Sequence, residues 1–205
     1  MSDTKERILN AALHLFAKDG YEAVSVSNIA DKLGITKGAL YKHYKNKRDI
    51  FDSIVARMYE TDAERSKEYD VPKDKYEADS GPYKNVSWES IKQFTLAQFV
   101  FWTEDSFACD FRKMLALEQY RSKEIAELYG NCITAGPVSY TEDIFREMIE
   151  SGIMKSGNAK LLALEFYSPL YLLINACDGS ADKKEALNLL NCHIEKFINQ
   201  NTVKE

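Results

Sequence analysis

The sequence predicts an all-α protein of about nine helices. Three observations lead to it. Apolar residues recur at three- and four-residue spacing along most of the chain. No stretch alternates apolar with polar residues as a half-buried strand would. Ser, Thr, Asp or Asn stand before the apolar stretches and Gly follows several of them, the residue types that start and stop helices.

In chain order, Asp3 with Glu6 reads as a capping box for a first helix, and Ile8, Ala12, Leu15 and Phe16 form its apolar stripe. Gly20 ends it. Ser25 caps a second helix carrying Ile29, Ala30 and Leu33, and Gly34 stops it. Thr36 caps a third, which turns Leu40 and Tyr44 inward. Asn46 and Asp49 read as a further capping box. It opens a fourth helix through Ile50, Phe51, Ile54, Val55 and Met58. Residues 70–86 carry Pro72, Gly81-Pro82 and many charges without a period, so a long loop is expected there. Ser87 caps a fifth helix over 88–103, and a sixth follows over 106–120. A seventh starts near Ser122, is interrupted at Gly136-Pro137 and resumes over 139–151. The eighth, 159–177, is apolar almost all round, with Pro169 expected to kink it. Asp182 and Glu185 cap the ninth. A head over 1–57 and a body over 58–205 follow as the expected domains.

The composition, 45% hydrophobic and 29% charged over 205 residues, is that of a globular chain rather than a disordered one. No apolar run approaches the roughly 18 residues of a membrane span. The opening MSDTKERIL has no apolar signal core, so a cytoplasmic protein without a membrane partner is expected. Cys109, Cys132, Cys177 and Cys192 lack close pairing, and His14, His43 and His193 are scattered. Free thiols and no metal site are expected. No phosphate-cradling glycine loop, nucleophile elbow or metal triad is present, so no catalytic residue, no cofactor and no enzyme is expected.

The net charge of −5 conceals an asymmetry. Residues 1–57 hold ten Lys/Arg against seven Asp/Glu, and the rest of the chain holds seventeen against twenty-five. The stretch 32–48 contains Lys32, Lys37, Lys42, Lys45, Lys47 and Arg48 with no carboxylate. Such a patch on an acidic chain suits a phosphate-binding face. It coincides with the motif at about 26–44. Two short helices meet across Gly34, where positive φ is favoured, and Ala30 is small where they approach. That is a helix-turn-helix. The start of its second helix, Thr36-Lys37-Gly38, offers free backbone N–H groups. Gly38 leaves room for a duplex to come close. In this mode the start of the recognition helix meets base edges in the major groove, while flanking groups hold phosphates.

The string GYEAVSVSNIADKLGITKGALYKHYKNKRDIF resembles the head of the TetR family of transcriptional regulators. The likeness rests on Gly20-Tyr21, Ser25-Val26, Ile29-Ala30, Gly34 to Gly38, Leu40-Tyr41, Tyr44, Lys47 and Asp49-Ile50, and covers about the first 57 residues. Ala39, Lys42 and Arg48 depart from the family's usual residues. The DNA-contact candidates are Ser25, Ser27, Thr36, Lys37, Gly38, Tyr41, Lys42, His43, Lys47 and Arg48. The resemblance implies a homodimer on a palindromic double-stranded operator, with a helical body holding an effector pocket. Repression is the family default. LEFYSPLYLLI is similar to the family's dimer-forming eighth helix. A helix apolar all round independently needs a second burying surface, which a mate supplies. Dimer-interface candidates are Leu164, Tyr171, Leu187, Leu190, Ile194 and Phe197. Aromatics with polar tips beside apolar surface suit a small organic effector. Phe94, Phe99, Trp102, Phe111, Tyr129, Tyr167 and Tyr171 are its candidate wall. The alternative is a DNA-binding regulator whose body is a protein-interaction module without a small-molecule effector.

Overall fold

The structure, a computed structural model, describes residues 2–69, 86–179 and 181–203. Except for Val86, the loop expected over 70–86 lies outside the described residues. Among the described residues the chain is ten helices: α1 Ser2–Asp19, α2 Val26–Leu33, α3 Lys37–Tyr41, α4 Lys47–Glu68, α5 Trp88–Glu104, α6 Ser106–Glu118, α7 Lys123–Ile133, α8 Ala135–Glu150, α9 Ala159–Cys177 and α10 Lys183–Asn201. They form two compact units, one of residues 1–62 and 104–129, the other of 63–103 and 130–205.

In the first unit α1 packs along α6 and against α2. Ile8, Leu9, Ala12, Leu13 and Phe16 are buried. Leu15 is only half-buried, because it falls at the edge of the stripe that residues 8, 12 and 16 centre on. The expected first cap moves as well. α1 already begins at Ser2, which puts Asp3 inside the first turn. The Glu6 carboxylate instead accepts from Asn10 Nδ2 at 3.3 Å and pairs with Arg57. Glu118, the last residue of α6, is 1% exposed and accepts the Tyr21 backbone N–H at 3.1 Å. At the start of α4, Asn46 Oδ1 accepts the Asp49 N–H at 2.8 Å as expected. The returning bond is donated by the Lys45 N–H to Asp49 Oδ2, one residue earlier than a capping box places it.

In the second unit α9 packs against α8 and α10. Its centre is aromatic. Phe145 stacks on Phe197 with centroids 5.6 Å apart, and Phe166 meets both edge-on. Each such ring contributes about 1.5–3 kcal/mol by burial. The Pro169 ring sits inside α9, which is assigned as one helix from Ala159 to Cys177. The expected interruption at Gly136-Pro137 falls instead at Thr134 (φ −124°, ψ −84°), separating α7 from α8. Pro137 then lies in the first turn of α8, where its missing N–H costs nothing. Gly136 is needed there because a Cβ would lie 1.9 Å from the Asn131 carbonyl oxygen.

Candidate nucleic-acid interface

Local chemistry builds the helix-turn-helix. Ser25 caps α2 in extended conformation, and its Oγ accepts the Asn28 N–H at 3.2 Å. In return Asn28 Oδ1 accepts the Ser25 N–H at 2.8 Å. Gly34 takes φ +65°, which lets the Ile35 N–H reach the Ala30 carbonyl at 3.0 Å and the Gly34 N–H reach that of Asp31 at 3.1 Å. This pair of bonds closes the helix end and aims the chain into the next cap. Thr36 Oγ1 accepts the Ala39 N–H at 3.1 Å and starts α3. Ile29, Ala30 and Leu40 are fully buried, and Leu33 and Ile35 half-buried, so the two helices share an apolar seam. Tyr44 is 2% exposed, and its hydroxyl donates to the Lys5 carbonyl at 3.2 Å.

The opposite side of α3 is open. Thr36, Lys37, Gly38, Tyr41 and Lys42 are exposed, Tyr41 at 51%, and His43 is half-buried. The N–H groups of Lys37 and Gly38 open a helix and have no partner inside it. At Gly38 an added Cβ would meet only Thr36 Oγ1, 3.9 Å away. The chain's own packing therefore does not require glycine there. Ser25 is exposed and Ser27 half-buried at the start of α2.

The two basic residues at the start of α4 are already engaged. Lys47 Nζ donates to the Tyr21 carbonyl at 2.8 Å and lies 4.2 Å from the centroid of the Tyr21 ring. It ties α4 to the turn after α1, leaving part of its donor capacity for an outside anion. Arg48 is held by two carboxylates, with Nε donating to Asp52 at 2.7 Å and the terminal nitrogens to both oxygens of Glu124 on α7. The Glu124 and Asp52 carboxylates together hold the guanidinium well above its ordinary pKa. The same pairing lowers that of Glu124. Sequence reading missed Glu124, since nothing local marks a partner 76 residues away.

The candidates of the body are dispersed. Phe111 and Tyr129 are buried in the first unit, whereas Phe94, Phe99, Trp102, Tyr167 and Tyr171 belong to the second. Phe99 is core, and the Tyr167 hydroxyl donates to the Ile133 carbonyl at 2.7 Å. None of these seven lines the open groove of about 790 Å³ between α5 and α10, whose walls include Tyr69, Leu96, Val100 and Leu187. Of the dimer candidates, Leu190, Ile194 and Phe197 point into their own chain's core, at 0%, 0% and 2% exposure, out of a mate's reach. Leu187 and Tyr171 are half-buried and Leu164 is 51% exposed. Leu161 and Leu172 extend the exposed face of α9, and Leu189 adds an exposed leucine from α10.

Fold and motif together define an all-α helix-turn-helix protein. Residues 8–54 match the family described as bacterial regulatory proteins, tetR family, which places the helix-turn-helix head in that family. It is 32% identical over 170 residues to the HTH-type transcriptional regulator YerO of Bacillus subtilis (strain 168), across 77% of this chain and 54% of that one. It is 41% identical over 56 residues to the HTH-type transcriptional repressor BepR of Brucella suis, across 27% of each. The chain thus spans about half the length of the first relative and about a quarter of the second. Its fold is that of SmeT, the repressor of the Stenotrophomonas maltophilia multidrug efflux pump SmeDEF. The TM-score is 0.64 at 18% identity, covering 98% of this chain and 91% of that one. Against the SmeT–triclosan complex it is 0.69 at 16% identity, covering 98% and 93%.

Proposed function

We propose that this chain is a cytoplasmic, sequence-specific regulator of transcription that binds a palindromic operator as a homodimer and releases it when a small organic effector occupies the body. The observation that carries the reading is the capped helix-turn-helix with an exposed, carboxylate-free start of α3. Lys37, Gly38 and Lys42 meet base edges, while Ser25, Ser27, Thr36, Tyr41 and the start of α4 hold phosphates. His43, half-buried, contributes at the rim. The repressor name of one relative and the triclosan bound to a protein of the same fold support an effector-released repressor.

The dimer buries the exposed leucines of α9 against a mate. Two heads then stand about one DNA turn apart, roughly 34–36 Å. Selection of binding sites from random duplexes at 150 mM salt tests the reading. A recovered palindrome is the expected result, and Lys37→Ala changes the recovered sequence. Binding without enrichment, or an unchanged preference in Lys37→Ala, rejects this placement of α3.

A further inference from the structure

Arg65, half-buried near the end of α4, stands at helical spacing from the buried Ile54 and Met58 and from the half-buried Tyr69 just past the helix. An apolar residue is expected at such a position. Its guanidinium stacks 4.2 Å from the centroid of the Phe101 ring and 5.9 Å from that of Tyr69. Its Nε and Nη2 are shut off from solvent, and neither has an acceptor among the described residues. These two nitrogens form one edge of the guanidinium, with parallel N–H bonds at the spacing of the two oxygens of a carboxylate. On the neighbouring stretch of α5, Gln98 buries its Oε1 without a donor. Buried polar groups are nearly always paired, and a charged one left unpaired is among the costliest defects a fold can carry. A chain that keeps such a cation where a leucine would be cheaper is prepared for an anion that arrives later.

We propose that Arg65 is the anchor for the carboxylate of a small amphipathic acid, whose apolar part packs among Tyr69, Phe94 and Phe101. The inference rests on the effector reading above and names the chemistry of that effector. Phe101 fixes the plane of the guanidinium, so its free edge is oriented before the acid arrives. Phe94 faces Tyr69 with centroids 6.0 Å apart, which extends the aromatic lining along α5. Tyr69 also lines the open groove beside α5 and α10, giving the apolar part a route in. Admission of the acid requires the half-buried Tyr69 ring to turn aside, because no water-sized space adjoins the two nitrogens.

The test is thermal denaturation of the full chain and of Arg65→Met, each alone and with octanoate, 4-phenylbutyrate and the corresponding neutral amides. Removing an unpaired buried cation raises the Tm of the free protein by about 2–4 °C. At a hundredfold excess over its Kd, a bound acid raises the wild-type Tm by roughly 5–10 °C. The amides do not, and Arg65→Met loses the response to the acids. A lower Tm for free Arg65→Met overturns the proposal, since it means that Gln98 or another group of the chain pairs the guanidinium in solution. So does an acid response that survives the substitution, or neither acid shifting the wild type. A neutral compound that releases operator DNA from both proteins would leave the effector reading standing and overturn the acid alone.

Discussion

At position 38 there is room for a side chain, and the sequence does not use it. Glycine inside a helix costs roughly 0.5–1 kcal/mol relative to alanine, so its presence in α3 is a stability sacrifice. The proposed DNA-facing role of this exposed face would account for the sacrifice, since a duplex approaching Lys37 and Lys42 would meet a Cβ. Gly38→Ala is therefore expected to raise the stability of the chain by about 0.5–1 kcal/mol in urea denaturation. It should also weaken operator binding tenfold or more in a mobility-shift titration. Unchanged affinity would place the groove elsewhere. Tyr44 shows the opposite residue-scale logic. Burial pushes its hydroxyl up to about 12, so it stays protonated and serves the Lys5 carbonyl. The spacing of the third helix already turns Tyr44 inward and leaves Tyr41 outward, and their burial agrees.

At the scale of elements, the start of α4 is the point where the head meets α7 within one compact unit. Arg48 grips both oxygens of Glu124 and one of Asp52, although both carboxylates stay exposed. Exposed pairs of this kind contribute up to about 1 kcal/mol, small enough for a phosphate to compete. Glu124→Gln frees one side of the guanidinium without disturbing a buried group. The expected result is a few-fold tighter operator complex with a salt dependence steeper by about one counterion. An unchanged affinity and slope would remove Arg48 from the phosphate contacts. The helices themselves were legible because their signals are local. Ser25, Thr36, Asn158 and Asp182 each accept a hydrogen bond from the turn they precede. The break between α7 and α8 was misplaced because the Gly-Pro pair suits a first turn as well as a boundary.

At the scale of the whole molecule, the decisive feature is a helix with more apolar surface than one chain can cover. α9 buries Ala163, Phe166, Leu170 and Ile174 and still exposes Leu161 at 61%, Leu164 at 51% and Leu172 at 66%. Leu172→Glu puts a charge into the proposed dimer seam while leaving the chain's own core untouched. Light scattering after size exclusion is expected to show a monomer, with operator affinity reduced at least a hundredfold. A dimer of unchanged stability would move the interface to another face. The acidic remainder of the chain adds nothing to DNA affinity. In the proposed complex the carboxylate-free stretch 32–48 is the main source of attraction to phosphate.

The sequence by itself determined the helical class, the caps and stops of most elements, and the helix-turn-helix with its exposed basic start. These depend on residues within a few positions of one another, where hydrogen-bond geometry and periodicity leave little freedom. Only the tertiary structure decided which face of α10 is core, so that Leu190, Ile194 and Phe197 turned inward and the free apolar surface passed to α9. Only it joined Arg48 to Glu124 and left the edge of Arg65 buried without an acceptor among the described residues. A helix read alone shows which residues share a side. What that side meets is set by packing against helices distant in the chain, and no local rule encodes it.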